Sequence, residues 1–248
     1  MKDYIVDLRS DEFLRSVAET FLRENEADLS QPVDILALVQ KSPINSVYGS
    51  KRLVFEQLDD KEMGDADGLT SFARDTVSIQ IKKSVGESAR IGAPRARMTI
   101  AHELAHSLLH RRLTLARRTV EFARPEYIEP ARSAERQAKV CGAALLMPDS
   151  MLRSCSSPQD IVETCLVSLE AAAIQFKLMD GARSRRANAA RMRALAQELR
   201  QNDTLPSTRI PFLSDLCSAC GHATVMPVGC KFLCQNCDNV SDGFQNGD

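Results

Sequence analysis

Two histidines four residues apart place the strongest constraint on this chain. The segment AHELAHSLLH contains His102, Glu103 and His106, in a stretch whose apolar residues recur at helical spacing. Residues four apart share one face of an α-helix, so both imidazoles can bind one Zn²⁺. Glu103 lies beside the first ligand, where its carboxylate can accept a proton from water. With only 4 histidines among 248 residues, composition alone makes this pattern rare. The sequence therefore predicts a helix that carries part of a catalytic zinc site.

A catalytic zinc takes three protein ligands and leaves one position open. Glu135 is the first candidate for the third ligand, because a second predicted helix (RSAERQAKVCGAALLM) would bring it back against the first. Small residues at 141–144 would let the two helices pack closely. Glu126, Glu129 and His110 are the alternatives. His110 shares a face with His106, but it is two turns from His102, which is too far along the axis to share one metal.

These segments together resemble the ImmA/IrrE family of zinc metallopeptidases. The resemblance rests on RARMTIAHELAHSLLH, followed by ERQAKVCGAALLMP, and covers about residues 30–180. It includes VSLEAAAIQF, which is similar to a helix-turn-helix-like piece of the family. The resemblance implies that His102, His106 and Glu135 bind zinc and that Glu103 is the general base. It also implies cleavage of helix-turn-helix repressors and a response to DNA damage, phages or mobile elements.

Three positions depart from the family pattern, and at one of them Cys141 replaces a common Phe. Ala105 stands before the second histidine, where the family usually has Gly, and Ala is small enough to keep the packing close. Lys139 stands where the family often has an Asn or Asp that would orient a zinc-binding histidine. Because such an acceptor holds the ligand in place, either another residue supplies it or we expect low peptidase activity.

Cysteines near the C-terminus form a second pattern. Cys217 and Cys220 make one CxxC, and Cys234 and Cys237 make another after 13 intervening residues. This spacing is typical of a structural four-cysteine zinc site in a zinc ribbon, and so small a tail needs the metal to fold. A redox site is disfavoured because the tail lacks a thioredoxin-like βαβ pattern. Two further residues, Cys230 and His222, are weaker candidate ligands.

Periodicity predicts a mostly helical core with a small sheet. Helices are expected at 10–27, 32–42, from 97 onward, at 132–147, 159–180 and 186–201. TVSIQIKK (76–83) alternates like a half-buried strand, whereas 51–58 fits either a strand or a short helix. The segments 59–68 and 86–94 are expected to be loops, and 202–212 a linker. We therefore expect an α+β fold with three parts: a zincin-like metallopeptidase domain (1–149), a helical helix-turn-helix-like segment (150–205) and a zinc-ribbon tail (206–248).

Composition excludes several classes of protein. The formal charge is −1 and the pI is near 6.4, so net charge gives no argument for binding nucleic acid or a membrane surface. An arginine-rich helix (183–200) is the best candidate nucleic-acid surface, although a solvated helix face is the better explanation of its arginines. The N-terminus has no basic stretch leading into an apolar run, and no window has the ~18 apolar residues of a membrane helix. We expect a cytoplasmic protein.

The leading hypothesis is a zinc endopeptidase with one catalytic and one structural Zn²⁺. Its substrate would be a cytoplasmic protein, with a helix-turn-helix transcriptional repressor as the first candidate. The alternative is a non-catalytic regulatory module built on a peptidase fold, which would bind a repressor or DNA. A peptidase triggered by a partner, as in a toxin or a phage-defence protein, is a third hypothesis, and the sequence does not separate it from the first.

Overall fold

The computed structural model describes residues 3–111, 128–202, 216–222, 224–228 and 231–242. The chain divides into two compact units, Met1–Phe176 and Lys177–Asp248. Helices and two small sheets make up the fold, so the predicted α+β class is confirmed. Within the described ranges, no helix combines the length and apolar character of a membrane span.

The first unit opens with two helices of very different length. Helix α1 (Asp11–Glu24) begins after Ser10, whose side chain accepts a hydrogen bond from the backbone N–H of Phe13. One face of α1 is buried, as its apolar spacing predicts. Helix α2 (Ile35–Leu38) is a single turn that begins after Asp34, so the predicted helix over 32–42 is much shorter in the structure.

A four-stranded sheet follows α2. Its strands are β1 (Ile44–Ser46), β2 (Gly49–Leu58), β3 (Gly68–Phe72) and β4 (Thr76–Lys82), in the order β1-β2-β4-β3. Strands β2 and β4 are parallel, while β1–β2 and β3–β4 are antiparallel. The alternating apolar residues of β4 are fully buried, which confirms the strand predicted there. Strand β3 is at one edge of this sheet.

Among the described residues, seven further helices come after β2 in chain order. They are α3 (Asp60–Met63), α4 (Lys83–Arg90), α5 (Pro94–Leu109), α6 (Ala134–Leu146), α7 (Asp149–Leu152), α8 (Pro158–Cys165) and α9 (Leu169–Asn202). Proline occupies the first turn of α5, where its missing N–H costs no helical hydrogen bond. The α5 residues Ile100, Leu104 and Leu108 are fully buried, so this helix is anchored in the core as its spacing predicts.

Several predicted boundaries were wrong. The segments expected to be loops contain α3 and α4. The break expected near 181–185 instead lies at 166–168, where Leu166 adopts a left-handed backbone (φ 50°). The side chain of Ser168 then accepts a hydrogen bond from the backbone N–H of Ala171 at the start of α9. The two helices predicted at 159–180 and 186–201 therefore do not match the observed division into α8 and α9.

The second unit contains the cysteine-rich tail. Strands β5 (Val225–Val228), β6 (Lys231–Cys234) and β7 (Val240–Asp242) form an antiparallel sheet in the order β5-β6-β7. Buried Cys217, Val225 and Cys234 form its small core, against which Phe232 packs. The predicted linker over 202–212 lies almost wholly outside the described residues.

Candidate active site

Helices α5 and α6 pack at close range. A Cβ added to Gly142 of α6 would lie 3.1 Å from the backbone carbonyl carbon of Ala101 in α5. The pairs Ala101–Gly142 and His110–Gln137 show that the two helices run in opposite directions. This arrangement brings the first turn of α6 against the middle of α5, where the two motif histidines are.

Three candidate ligands converge at this point. The Nε2 atoms of His102 and His106 are 3.0 Å apart, and His102 Nε2 is 3.1 Å from Glu135 Oε2. His106 Nε2 is 3.7 Å from Glu135 Oε1. Ligand atoms at ~2.0–2.1 Å from a tetrahedral zinc are about 3.3 Å apart, which matches this triangle. The geometry therefore fits one metal ion held by these three side chains.

The polar chemistry of the site also fits a metal. Oε1 of Glu135 is buried and has no hydrogen-bond partner among the described residues, which is costly unless something else satisfies it. The neighbouring rings of His102 (3.1 Å) and His106 (3.7 Å) lower the pKa of Glu135, so its carboxylate is ionised at neutral pH. An ionised carboxylate beside two imidazole nitrogens is a donor set that zinc accepts.

The start of α6 is held by the N-terminal strap, residues 3–9. Asp3 accepts hydrogen bonds from the backbone N–H of Glu135 (3.1 Å) and from the hydroxyl of Ser133 (2.7 Å). Tyr4 accepts a backbone hydrogen bond from Ala134. These contacts fix the first turn of α6, and with it the side chain of Glu135, against α5.

The side chain of Glu103 contacts strand β3 of the sheet. It is 3% exposed, and its Oε2 accepts a hydrogen bond of 2.6 Å from the hydroxyl of Thr70 on β3. Gly68, also on β3, leaves room for this carboxylate, because a Cβ there would lie 2.8 Å from Glu103 Cγ. The edge strand therefore fixes the orientation of the predicted general base.

The alternative third ligands do not join this group. Glu129 is exposed and pairs with Arg132 (3.4 Å), and Glu126 lies outside the described residues. His110 approaches the other nitrogen of His106, with 3.1 Å between the two Nδ1 atoms. His110 thus contacts the Nδ1 side of the His106 ring, whereas the other two candidate ligands face its Nε2 side.

Comparison with protein families assigns the domain. The family model described as the IrrE N-terminal-like domain, a metallopeptidase-type family, matches residues 54–177, which is half of the chain. This protein belongs to that family. No curated protein matches the chain significantly. The residues matched to the IrrE N-terminal-like domain include the histidine pair, Glu135 and Thr70, whereas the strap and the cysteine-rich tail lie outside them.

The structure shows what contacts His106 in the absence of the Asn or Asp that Lys139 replaces in the pattern of IrrE N-terminal-like domains. Lys139 is exposed and, among the described residues, donates no hydrogen bond to either histidine. The side chain that lies against His106 Nδ1 is instead that of His110, which is 3% exposed. Burial, reinforced by the neighbouring His106, lowers the pKa of His110 to about 3, so its ring is neutral.

Sequence reasoning missed three residues of this site. Thr70 and Gly68 belong to a strand that the sequence did not reveal, and 33 residues separate Thr70 from Glu103. Tyr4 lies edge-on to the ring of His110, and its hydroxyl is buried without a hydrogen-bond partner among the described residues. Burial and the charge of Glu135 raise the pKa of Tyr4, so the phenol keeps its proton.

The four predicted cysteines of the tail are also brought together. The Sγ atoms of Cys217 and Cys237 are 3.7 Å apart, and those of Cys220 and Cys234 are 3.6 Å apart. Thiolates at ~2.3 Å from a tetrahedral zinc are about 3.7 Å apart, so this cluster fits a closed metal site. A hydrogen bond from the Asn236 amide lowers the pKa of Cys220, whereas burial raises the pKa of Cys237 in the same cluster.

The two weaker ligand candidates remain outside this cluster. His222 is exposed, and its Nδ1 lies 2.9 Å from the carbonyl oxygen of Cys220. Cys230 lies outside the described residues. A site closed by four cysteines leaves no open position for substrate, so its expected role is structural.

Proposed function

We propose that this protein is a zinc-dependent endopeptidase that cleaves a cytoplasmic protein, with a helix-turn-helix repressor as the first candidate substrate. The observation that carries the proposal is the hydrogen bond between Thr70 and the buried carboxylate of Glu103, the residue that directly follows the candidate ligand His102. A buried carboxylate held in one orientation next to a metal site is the arrangement that a general base requires. The family assignment supports the peptidase chemistry, and the resemblance to ImmA/IrrE proteins supports the repressor.

The proposed chemistry assigns one role to each group. Zinc, when bound by His102, His106 and Glu135, supplies a Lewis acid that polarises a carbonyl and lowers the pKa of water. Glu103 accepts the proton of the attacking water and then donates it to the leaving amine. Thr70 keeps the Glu103 carboxylate in position through both proton transfers.

The edge strand supports a peptide substrate. Among the described residues β3 pairs only with β4, so its other edge offers backbone donors and acceptors. An extended peptide can add to such an edge as one more strand. Because β3 also contacts Glu103, a peptide bound there would run close to the general base.

The test compares the wild-type protein with Glu103→Gln. Gln has nearly the same shape but does not accept the proton, so the variant should fold and bind zinc normally while cleavage is lost. Both forms are incubated with a proteome-derived peptide library and with purified helix-turn-helix repressors from the same genome, and new termini are identified by mass spectrometry. Equal cleavage by the two forms removes Glu103 from the mechanism.

Metal content separates this function from the non-catalytic alternative. Two zinc ions per full-length chain agree with a loaded peptidase site and a loaded ribbon. One zinc per chain, retained when Glu135 is replaced by Ala, would leave the ribbon loaded beside a metal-free peptidase fold. Cleavage of library peptides without cleavage of any repressor would keep the peptidase and change only the substrate.

A further inference from the structure

A chain of buried hydrogen bonds extends behind His106, away from the ligand triangle. It starts at Gln137 in α6, which is fully buried. Its side-chain nitrogen donates to the carbonyl oxygens of Asp7 (2.8 Å) and Ala131 (2.7 Å). Rotating the amide by 180° would place its oxygen against both carbonyls, so only one orientation is favourable. Oε1 of Gln137 therefore faces His110.

The orientation of Gln137 determines the protonation of His110. Oε1 of Gln137 accepts hydrogen bonds only, and His110 Nε2 lies 3.4 Å from it. Nε2 of His110 must therefore carry a proton. A neutral imidazole has one N–H, so Nδ1 of His110 is left as an acceptor. The ring is almost completely buried, and among the described residues its two nitrogens meet only Gln137 and His106, so no carboxylate is in place to pair with a second, charged proton.

The tautomer of His110 in turn determines the tautomer of the candidate ligand His106. Nδ1 of His106 lies 3.1 Å from Nδ1 of His110, and since the latter accepts, His106 must donate. His106 then carries its proton on Nδ1 and presents an unprotonated Nε2 to Glu135 and His102. That is the only neutral form of His106 whose Nε2 can bind a metal, and it is fixed by contacts that do not involve the metal.

We propose that His110 and Gln137 are positioning residues that hold His106 in the metal-binding tautomer and orientation. They supply the acceptor that Lys139 does not. One end of this series of hydrogen bonds is the backbone carbonyl of Asp7 in the N-terminal strap, which lies outside the residues matched to the family model. The strap therefore contributes to the metal site from both sides, through Asp3 at the first turn of α6 and through Asp7 at Gln137. This inference rests on the proposed metal site and not on the proposed substrate.

The first experiment compares His110→Phe with His110→Asn in the full-length chain. Phe keeps a ring against Tyr4 but offers no acceptor, whereas the side-chain oxygen of Asn can replace Nδ1. Zinc affinity of the peptidase site is measured by competition with a chromophoric chelator, and the ribbon of the same chain serves as an internal reference. We expect His110→Phe to weaken zinc binding by on the order of 10–100-fold, and His110→Asn to stay close to wild type.

The second measurement does not require metal or activity. In the wild-type chain, after a chelator has removed zinc from the peptidase site, ¹⁵N spectra of the imidazoles should show His106 protonated on Nδ1. In His110→Phe both tautomers should appear. If circular dichroism shows that His110→Phe does not fold, Gln137→Met is measured in its place. Met lacks the amide that contacts His110, so this variant also interrupts the series of hydrogen bonds that ends at His106. We expect the same change in tautomer and affinity.

The outcomes separate this inference from the proposed function. If the wild-type protein binds zinc only in the ribbon, the proposed metal site of the peptidase domain is wrong. Two zinc ions in wild type with equal affinity in the Phe and Asn variants would overturn only the roles of His110 and Gln137. A wild-type His106 protonated on Nε2 in the metal-free site would do the same.

Discussion

Thr70 and Glu103 are joined by a hydrogen bond of 2.6 Å between the threonine hydroxyl and Oε2 of the glutamate. The hydroxyl is also 3.0 Å from the backbone oxygen of Glu103, but its single proton goes to the nearer and more basic carboxylate. This contact joins the edge of the sheet to the helix that carries both histidines. It makes the position of the proposed general base depend on strand β3.

Replacing Thr70 by Val should therefore lower activity without removing the metal. Val has nearly the same shape but no hydroxyl, so the Glu103 carboxylate loses its fixed orientation. We expect kcat on a cleavable library peptide to fall by on the order of 10–100-fold while zinc content is unchanged. Thr70→Ser, which keeps the hydroxyl, is the matched control and should stay close to wild type. A Val variant as active as Ser would show that the contact is only structural.

The sequence revealed the parts of this site that are local. His102, Glu103 and His106 share a helix whose period is visible in the sequence, and the apolar residues that bury it follow the same period. Glu135 was reached by assuming that the next helix runs back along the first. Small residues at 141–144 supported that assumption, and the close approach at Gly142 shows why they are needed.

The rest of the site depends on contacts between distant segments. Thr70 is in a five-residue strand preceded by a polar, acidic stretch, so no alternating pattern of useful length reveals it. Asp3 and Asp7 act on α6 from about 130 residues away. Helical spacing shows which face of the helix His110 occupies, but not which side chain it contacts. The sequence therefore suggested His110 only as a ligand. Tertiary packing, which periodicity does not encode, places each of these residues.

Glu135→Ala should reduce the zinc content from two ions per chain to one. The carboxylate is the only candidate ligand contributed by α6, and Ala offers no replacement for it. Elemental analysis of the purified full-length protein measures the change. Glu129→Ala is the control, because that exposed carboxylate pairs with Arg132 and should leave both ions in place. Unchanged zinc in Glu135→Ala would mean that the third ligand is elsewhere.

Gly142→Ala tests the close packing of α5 and α6. Helix propensity alone predicts a gain of about 1 kcal/mol in the free energy of unfolding. The added Cβ would, however, lie 3.1 Å from backbone atoms of Ala101 and from the N atom of His102. Overpacking of this kind typically costs about 1–3 kcal/mol, so we expect a net loss of stability.

Urea denaturation of the Gly142→Ala variant gives the sign of this effect. Lys139→Ala, a change at an exposed site on the same helix, serves as the control for propensity. The peptidase site should also bind zinc more weakly in Gly142→Ala, because the helices separate where His102 is. A variant more stable than wild type would show that the two helices adjust without cost.

Cys217→Ser should unfold the tail while the peptidase core stays folded. The tail has a core of only a few buried residues, so metal binding must supply much of its folding free energy. Loss of one thiolate leaves three ligands, and the dispersed resonances of β5–β7 should collapse in ¹H–¹⁵N spectra. Cys230→Ser is the control because that cysteine belongs to neither CxxC pair. Dispersed tail resonances in Cys217→Ser would show that zinc does not hold this sheet.

A chain ending at Leu205 tests whether the peptidase core folds without the ribbon. The candidate metal ligands described in the first unit come from α5 and α6, and the strap that supports α6 is in the N-terminal part of the chain. We therefore expect a soluble fragment with one zinc ion per chain and library cleavage close to that of the full-length protein. Cleavage of a repressor is expected to fall in this fragment, because a closed four-cysteine site has no use in catalysis but offers a surface for a partner. Precipitation of the fragment, or loss of its zinc, would show that the tail stabilises the core directly.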